Sequence, residues 1–251
     1  MKIKKIQSKL YKDNESTINI KPEYLKIMSN MFIKYLLNKP VPAGDIKEYP
    51  IDCWRILLGT LGVFQLPTIE LIDFLNHMIT DKTAIEICCG IGTIGKILRI
   101  PATDRKLYEN INGSIAHNQI LKTETPLNKY TSNFPDHVET LTANQAVEKY
   151  NPEVVIGCWV SQKATNKTIG SMYGVEEDKL LKKVNTYIHC GSSVNSAHYK
   201  KKILKYKHYT IRADFLFDRA SGRGPSEMKI WTDKEPKWDA FPEHLEFDII
   251  Y

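Results

Sequence analysis

Apolar residues fall at helical spacing through the first third of the chain and in short unbroken runs after it. From Pro22 to Leu37 they recur at Leu25, Met28, Met31, Phe32, Tyr35 and Leu36, a helical period. Pro40-Val-Pro-Ala-Gly44 then interrupts the pattern. A second helical stretch covers Asp52 to Leu58, and residues 59–67 form a turn-rich bridge. Thr68 is placed to cap a third helix whose apolar positions are Ile69, Leu71, Ile72, Leu75, Met78 and Ile79.

Beyond residue 83 the pattern changes. Ala84-Ile-Glu-Ile-Cys-Cys89 is a short run closed by Gly90, as expected of a strand buried on both faces of a parallel sheet. Residues 93–99 suit a short helix, and Pro101-Ala-Thr-Asp104 a very short second strand. Residues 105–135 are polar and carry no clear period. Asn144 to Tyr150 reads as helix, Pro152 to Gly157 as strand, Glu176 to Val184 as helix and Thr186 to Cys190 as strand. Phe215-Leu-Phe217 and Met228-Lys-Ile-Trp231 are expected as late strands. Strands alternating with helices at this spacing predict an α/β fold with a doubly wound, mostly parallel sheet. The expected division is a helical segment at 1–80, packed on the core as a substrate cap, and a Rossmann-like core at 81–251.

Composition narrows this picture only modestly. The chain has 251 residues, 42% hydrophobic and 25% charged, which excludes a largely disordered polypeptide. Residues 1–21 read as an exposed basic leader without the apolar stretch of a secretory signal, so a cytoplasmic protein is expected. Five cysteines, with no CxxC pair, predict reduced, packed thiols instead of a zinc site or disulfide framework. The formal charge of +6 is compatible with an acidic partner. Its densest stretch is Lys200, Lys201, Lys202, Lys205 and Lys207, interleaved with Tyr199, Tyr206 and Tyr209; cations among aromatics suit a nucleic acid, and also an ordinary solvated face.

The candidate chemistry lies at Glu86-Ile-Cys-Cys-Gly90-Ile-Gly92-Thr-Ile-Gly95, between the first strand and its helix. Glycines there permit a tight turn and close approach of a ligand, and the helix start offers free N–H groups. The spacing alone also fits a dinucleotide site. Glu86 favours a cationic ligand group over a pyrophosphate, and Asp104, ending the second strand, is placed to accept two ribose hydroxyls. With Gly62-Val-Phe-Gln-Leu-Pro67-Thr68 upstream, the chain resembles the class I, Rossmann-like S-adenosylmethionine-dependent methyltransferases. Within them it is similar to an uncharacterised bacterial and phage branch, through Ile100-Pro-Ala-Thr-Asp104, residues 155–161, residues 173–177 and Tyr187-Ile-His-Cys-Gly191.

The resemblance implies a seven-stranded sheet and a donor site lined by Glu86, Cys88, Gly90, Gly92, Pro67 and Thr68. Asp104 would take the ribose, and Cys158 and Trp159 would border adenine or the methyl group. Cys88 stands where the family often has glycine. The acceptor is open between nucleic acid and a small molecule. Gly157-Cys-Trp-Val160 replaces the Asn/Asp-Pro-Pro-aromatic motif of amine-methylating nucleic-acid enzymes, and no proline precedes Cys158 as in carbon-5 enzymes. Lys163, His189 and Trp159 are the weak catalytic candidates, with Gln162 and His198 beside them. No metal is expected. The alternative reading is a phage–host protein that binds or degrades S-adenosylmethionine without methylating anything.

Overall fold

The computed structural model describes residues 22–31, 39–106, 134–160, 174–192, 203–218, 226–234 and 246–250. Among the described residues three helices precede the sheet: α1 (Pro22–Met31), α2 (Ile51–Leu61) and α3 (Ile69–Ile79). A 3-10 turn, Ala43–Glu48, links the first two. Helix α2 outruns its predicted span at both ends, from Pro50 at the N-cap to Gly62, whose left-handed φ of 71° closes it. Helix α3 starts where the sequence says: the Thr68 hydroxyl accepts from the Leu71 N–H.

The sheet is built from β1 (Ala84–Ile87), β2 (Ala102–Asp104), β3 (Val138–Thr140), β4 (Val154–Cys158), β5 (Thr186–Ser192), β6 (His208–Arg212), β7 (Ser226–Thr232) and β8 (Glu246–Ile250). Helices α4 (Thr93–Leu98), α5 (Ala143–Tyr150) and α6 (Glu177–Leu180) intervene. The strand order is β3-β2-β1-β4-β5-β7-β6-β8, eight strands where seven are expected from sequence. β1 to β5 pair in parallel, whereas β7 runs antiparallel between β5 and β6, and β8 antiparallel beside β6.

Of the two late strands expected, Met228–Trp231 lies within β7 and the other shifts. Phe215-Leu-Phe217 is not a strand but the β6–β7 connection, because its carbonyls serve other segments. The Phe215 carbonyl accepts from the Thr68 hydroxyl at 2.9 Å, and the Phe217 carbonyl from Leu66 N–H at 2.8 Å. The strand lies instead at His208–Arg212, inside the stretch read as a basic surface. β3 and β8 were not anticipated.

Apolar burial follows the layers. α3 and α4 cover one face of the sheet in a cluster containing Leu71, Leu75, Ile156, Ile188, Met228 and Ile230. α5 and α6 cover the other, with Ile85, Ile87, Val155, Tyr187 and Trp231. A separate cluster joins α1 and α2 to Phe217 around Trp54, Leu57 and Leu58.

Candidate functional site

In an open parallel sheet, ligands bind beyond the carboxyl ends of the strands where the strand order reverses. Here that place is the crevice between β1 and β4, whose last paired residues are Ile87 and Gly157. Both lips are strained. Cys88 follows β1 with φ 51° and Trp159 follows β4 with φ 58°, each a non-glycine residue in the left-handed region. Gly90 and Gly92 are left-handed as well, at 57° and 68°.

The glycines are explained by the protein's own packing. A Cβ on Gly90 would lie 2.3 Å from the Gly62 carbonyl oxygen and 2.8 Å from the Phe64 ring. One on Gly92 would meet Val138 Cγ2 at 2.7 Å, and one on Gly95 would meet Glu86 Oε2 at 2.8 Å. The upstream segment that touches the loop is therefore Gly62–Phe64. Of Pro67 and Thr68, named from the resemblance, the Pro67 carbonyl accepts from Val41 N–H, and the fully buried Thr68 caps α3 and donates to the Phe215 carbonyl.

The two acids differ in role. Glu86 is 2% exposed, and its Oε2 accepts the Gly95 N–H at 2.7 Å. Burial pushes its pKa up to about 8, opposed by that hydrogen bond and aided by the nearby Asp104. With that pKa its carboxyl is mostly protonated near pH 7, and its hydrogen bond ties β1 to α4. Asp104 is half-buried at the crevice. Its Oδ2 accepts from Gly90 N–H at 3.0 Å and its Oδ1 from Lys106 N–H at 2.8 Å. Burial raises its pKa, while the N–H donors of Lys106 and Gly90 pull it down. Each carboxylate oxygen offers two lone pairs, so acceptor capacity remains for hydroxyls.

The described residues expected to carry chemistry after β4 and β5 make contacts within the protein. His189 is fully buried, and its Nε2 accepts the Val160 N–H at 3.2 Å, so that lone pair holds the chain after β4. Val160 folds over Gly157, where a Cβ would lie 2.5 Å from Val160 Cγ2. Trp159 is 7% exposed, and its backbone N–H donates to the Cys190 carbonyl at 2.8 Å. Cys158 is buried beside Cys190, and that thiol contact together with burial holds its pKa well above the usual value. A thiol held protonated in this way is a poor nucleophile. Burial also raises Cys88, the half-buried thiol at the loop.

Lys163, Gln162, His198, Lys200, Lys201 and Lys202 lie outside the described residues. Lys205 and Lys207 are exposed, and Lys207 Nζ stands 5.6 Å from the centroid of the buried Tyr209 ring. Among the described residues no group of three or more His, Cys, Asp or Glu side chains could hold a metal ion. Among them, too, no helix is long and apolar enough to cross a membrane. No family model matches the chain, and no curated protein matches it.

Proposed function

We propose that this protein is an S-adenosylmethionine-dependent methyltransferase of the class I, Rossmann-like type, its acceptor a nucleic acid or a small molecule. The observation that carries the reading is the pair of left-handed residues, Cys88 and Trp159, that follow the neighbouring strands β1 and β4, with Asp104 bonded to the loop after β1. Strain of about 1–3 kcal/mol at each such residue persists only where the surroundings enforce it, and it concentrates at functional sites. With Glu86 neutral, its charge no longer argues against a dinucleotide. Strand order does: a dinucleotide fold sets the sixth strand beside the fifth, whereas here an antiparallel strand intervenes.

The residues fit the donor at one end. Asp104 has spare acceptor capacity for the ribose hydroxyls, and Cys88 turns the backbone at the place where the methionine end would run. When bound, S-adenosylmethionine supplies a sulfonium-activated methyl group, and transfer to a good nucleophile needs chiefly proximity and alignment. That requirement suits a crevice whose His189 and Cys158 are already engaged within the protein. The same engagement favours, as a second reading, a protein that binds or degrades the donor without methylating an acceptor. The exposed Lys205 and Lys207 offer cations to a nucleic-acid acceptor.

Calorimetric titration with S-adenosylmethionine, S-adenosylhomocysteine and NAD in parallel tests the reading. Micromolar binding of both adenosyl ligands and none of NAD is expected; binding of NAD alone, or of nothing, overturns it. Product analysis then separates methylated acceptor, donor breakdown and simple binding.

A further inference from the structure

A cavity of about 380 Å³ opens between the 3-10 turn, the start of α2 and the β6–β7 connection. Its walls include Tyr49, Trp54 and Phe217, and Ile51 beside it is 42% exposed. The three rings are fixed before anything binds. Trp54 donates from Nε1 to the Ile46 carbonyl at 3.0 Å. It meets Tyr49 edge-on at 6.0 Å and Phe217 at 6.2 Å between centroids. The Phe217 carbonyl is held twice, by Leu66 N–H at 2.8 Å and Gln65 Nε2 at 2.9 Å. Such a preformed apolar space loses little freedom on binding.

Two opposite charges line the same cavity. Lys47 Nζ and Asp214 Oδ2 stand 3.9 Å apart, with side chains 84% and 97% exposed. A pair so long and so exposed contributes little to folding. Both groups keep hydrogen-bonding capacity for another partner.

We propose that this cavity binds an α-amino acid with an apolar side chain. Tyr49 and the exposed Ile51 take the side chain, backed by the buried Trp54 and Phe217, while Asp214 accepts from the ammonium group and Lys47 donates to the carboxylate. An α-amino acid carries its two charges a few bonds apart, which matches the spacing of Lys47 and Asp214. A plain hydrocarbon or a singly charged ligand leaves one of the two unanswered. The inference stands independently of the donor reading, since neither Asp104 nor the glycine loop lines the cavity.

The test is calorimetry on the full chain without any adenosyl ligand, using L-phenylalanine, L-leucine, phenethylamine and 3-phenylpropionate. L-phenylalanine and L-leucine are expected to bind saturably, and the two singly charged probes at least about tenfold more weakly than L-phenylalanine. Asp214→Asn and Lys47→Gln, both at exposed side chains, are each expected to weaken L-phenylalanine by about tenfold. Gly44 also lines the cavity and has nothing within 4 Å of a built Cβ, so Gly44→Leu fills open space and should block binding while the chain stays folded. Absence of saturable binding by both amino acids overturns the site, whatever the adenosyl titrations give. Equal affinity for all three phenyl probes, or undiminished binding in Gly44→Leu, overturns it too.

Discussion

Gly90→Ala isolates why the loop after β1 is glycine. The new methyl group would meet the Gly62 carbonyl oxygen at 2.3 Å and the Phe64 ring at 2.8 Å, on a backbone with φ 57°. The ring can swing away, but the carbonyl belongs to the left-handed residue that ends α2 and has no such freedom. A Cβ in the left-handed region costs about 1–2 kcal/mol, and overpacking a tight site typically adds about 1–3 kcal/mol. The sum, roughly 2–5 kcal/mol, is a large part of the 5–15 kcal/mol that typically holds a domain together. Urea unfolding of parent and variant reads it as a lowered midpoint at unchanged slope. Gly44→Ala is the control, expected within about 0.5 kcal/mol of the parent because its Cβ meets nothing. A second variant divides the cost: Phe64→Ala combined with Gly90→Ala relieves the ring contact and leaves the carbonyl clash. If Gly90→Ala unfolds at the parent's midpoint and loses only ligand affinity, the packing explanation is refuted. The glycine would then be there for ligand approach, as its motif alone suggests.

Further outcomes follow from the same geometry. Cys88→Gly relieves a left-handed φ of 51° and should stabilise the chain by up to about 1 kcal/mol, read by the same denaturation. Glu86 carries a folded pKa of about 8 against an ordinary 4.5, so the native state holds its proton more tightly than the unfolded chain. Its stabilisation is complete below about pH 4.5 and is lost as pH rises through about 8, at a slope approaching 1.4 kcal/mol per unit between them. Glu86→Gln keeps an acceptor for Gly95 and should flatten that stretch of the stability–pH curve; identical curves would mean Glu86 is ionised. Thr68→Ala removes both the cap of α3 and the partner of the Phe215 carbonyl, and should cost about 2–4 kcal/mol by thermal or urea unfolding. Asp104→Asn halves the carboxylate's acceptor set and should weaken S-adenosylmethionine at least about tenfold by calorimetry, with no such loss sinking its ribose role.

Local chemistry made much of the fold legible in the sequence. β1 and β4 are buried on both faces and read as short apolar runs, interrupted in β1 by Glu86. Thr68 announced α3 through a cap that depends only on residues within one turn. The alternating parallel half of the sheet followed from those elements. β6 was hidden because His208, Tyr209, Thr210 and Ile211 continue a lysine-rich stretch, and only pairing with β7 and β8 makes them a strand. Phe215–Phe217 misled in the opposite sense, since its apolar side chains suit a strand while its carbonyls are taken by Leu66 and Thr68.

At the site, the sequence determined which residue types stand at the crevice, and tertiary structure decided what each does. Glu86 and Asp104 are both acids near one glycine loop; burial makes one a neutral tie beneath α4 and leaves the other at the edge. His189 and Cys158 carry reactive groups in sequence, but Val160 and Cys190 engage them in space. The cavity at Trp54 and Phe217 had no motif, because its parts are 163 positions apart and meet only when the β6–β7 connection packs on α2. Residue identity fixes charge, size and backbone freedom; solvent exposure and partners separated along the chain exist only once it has folded.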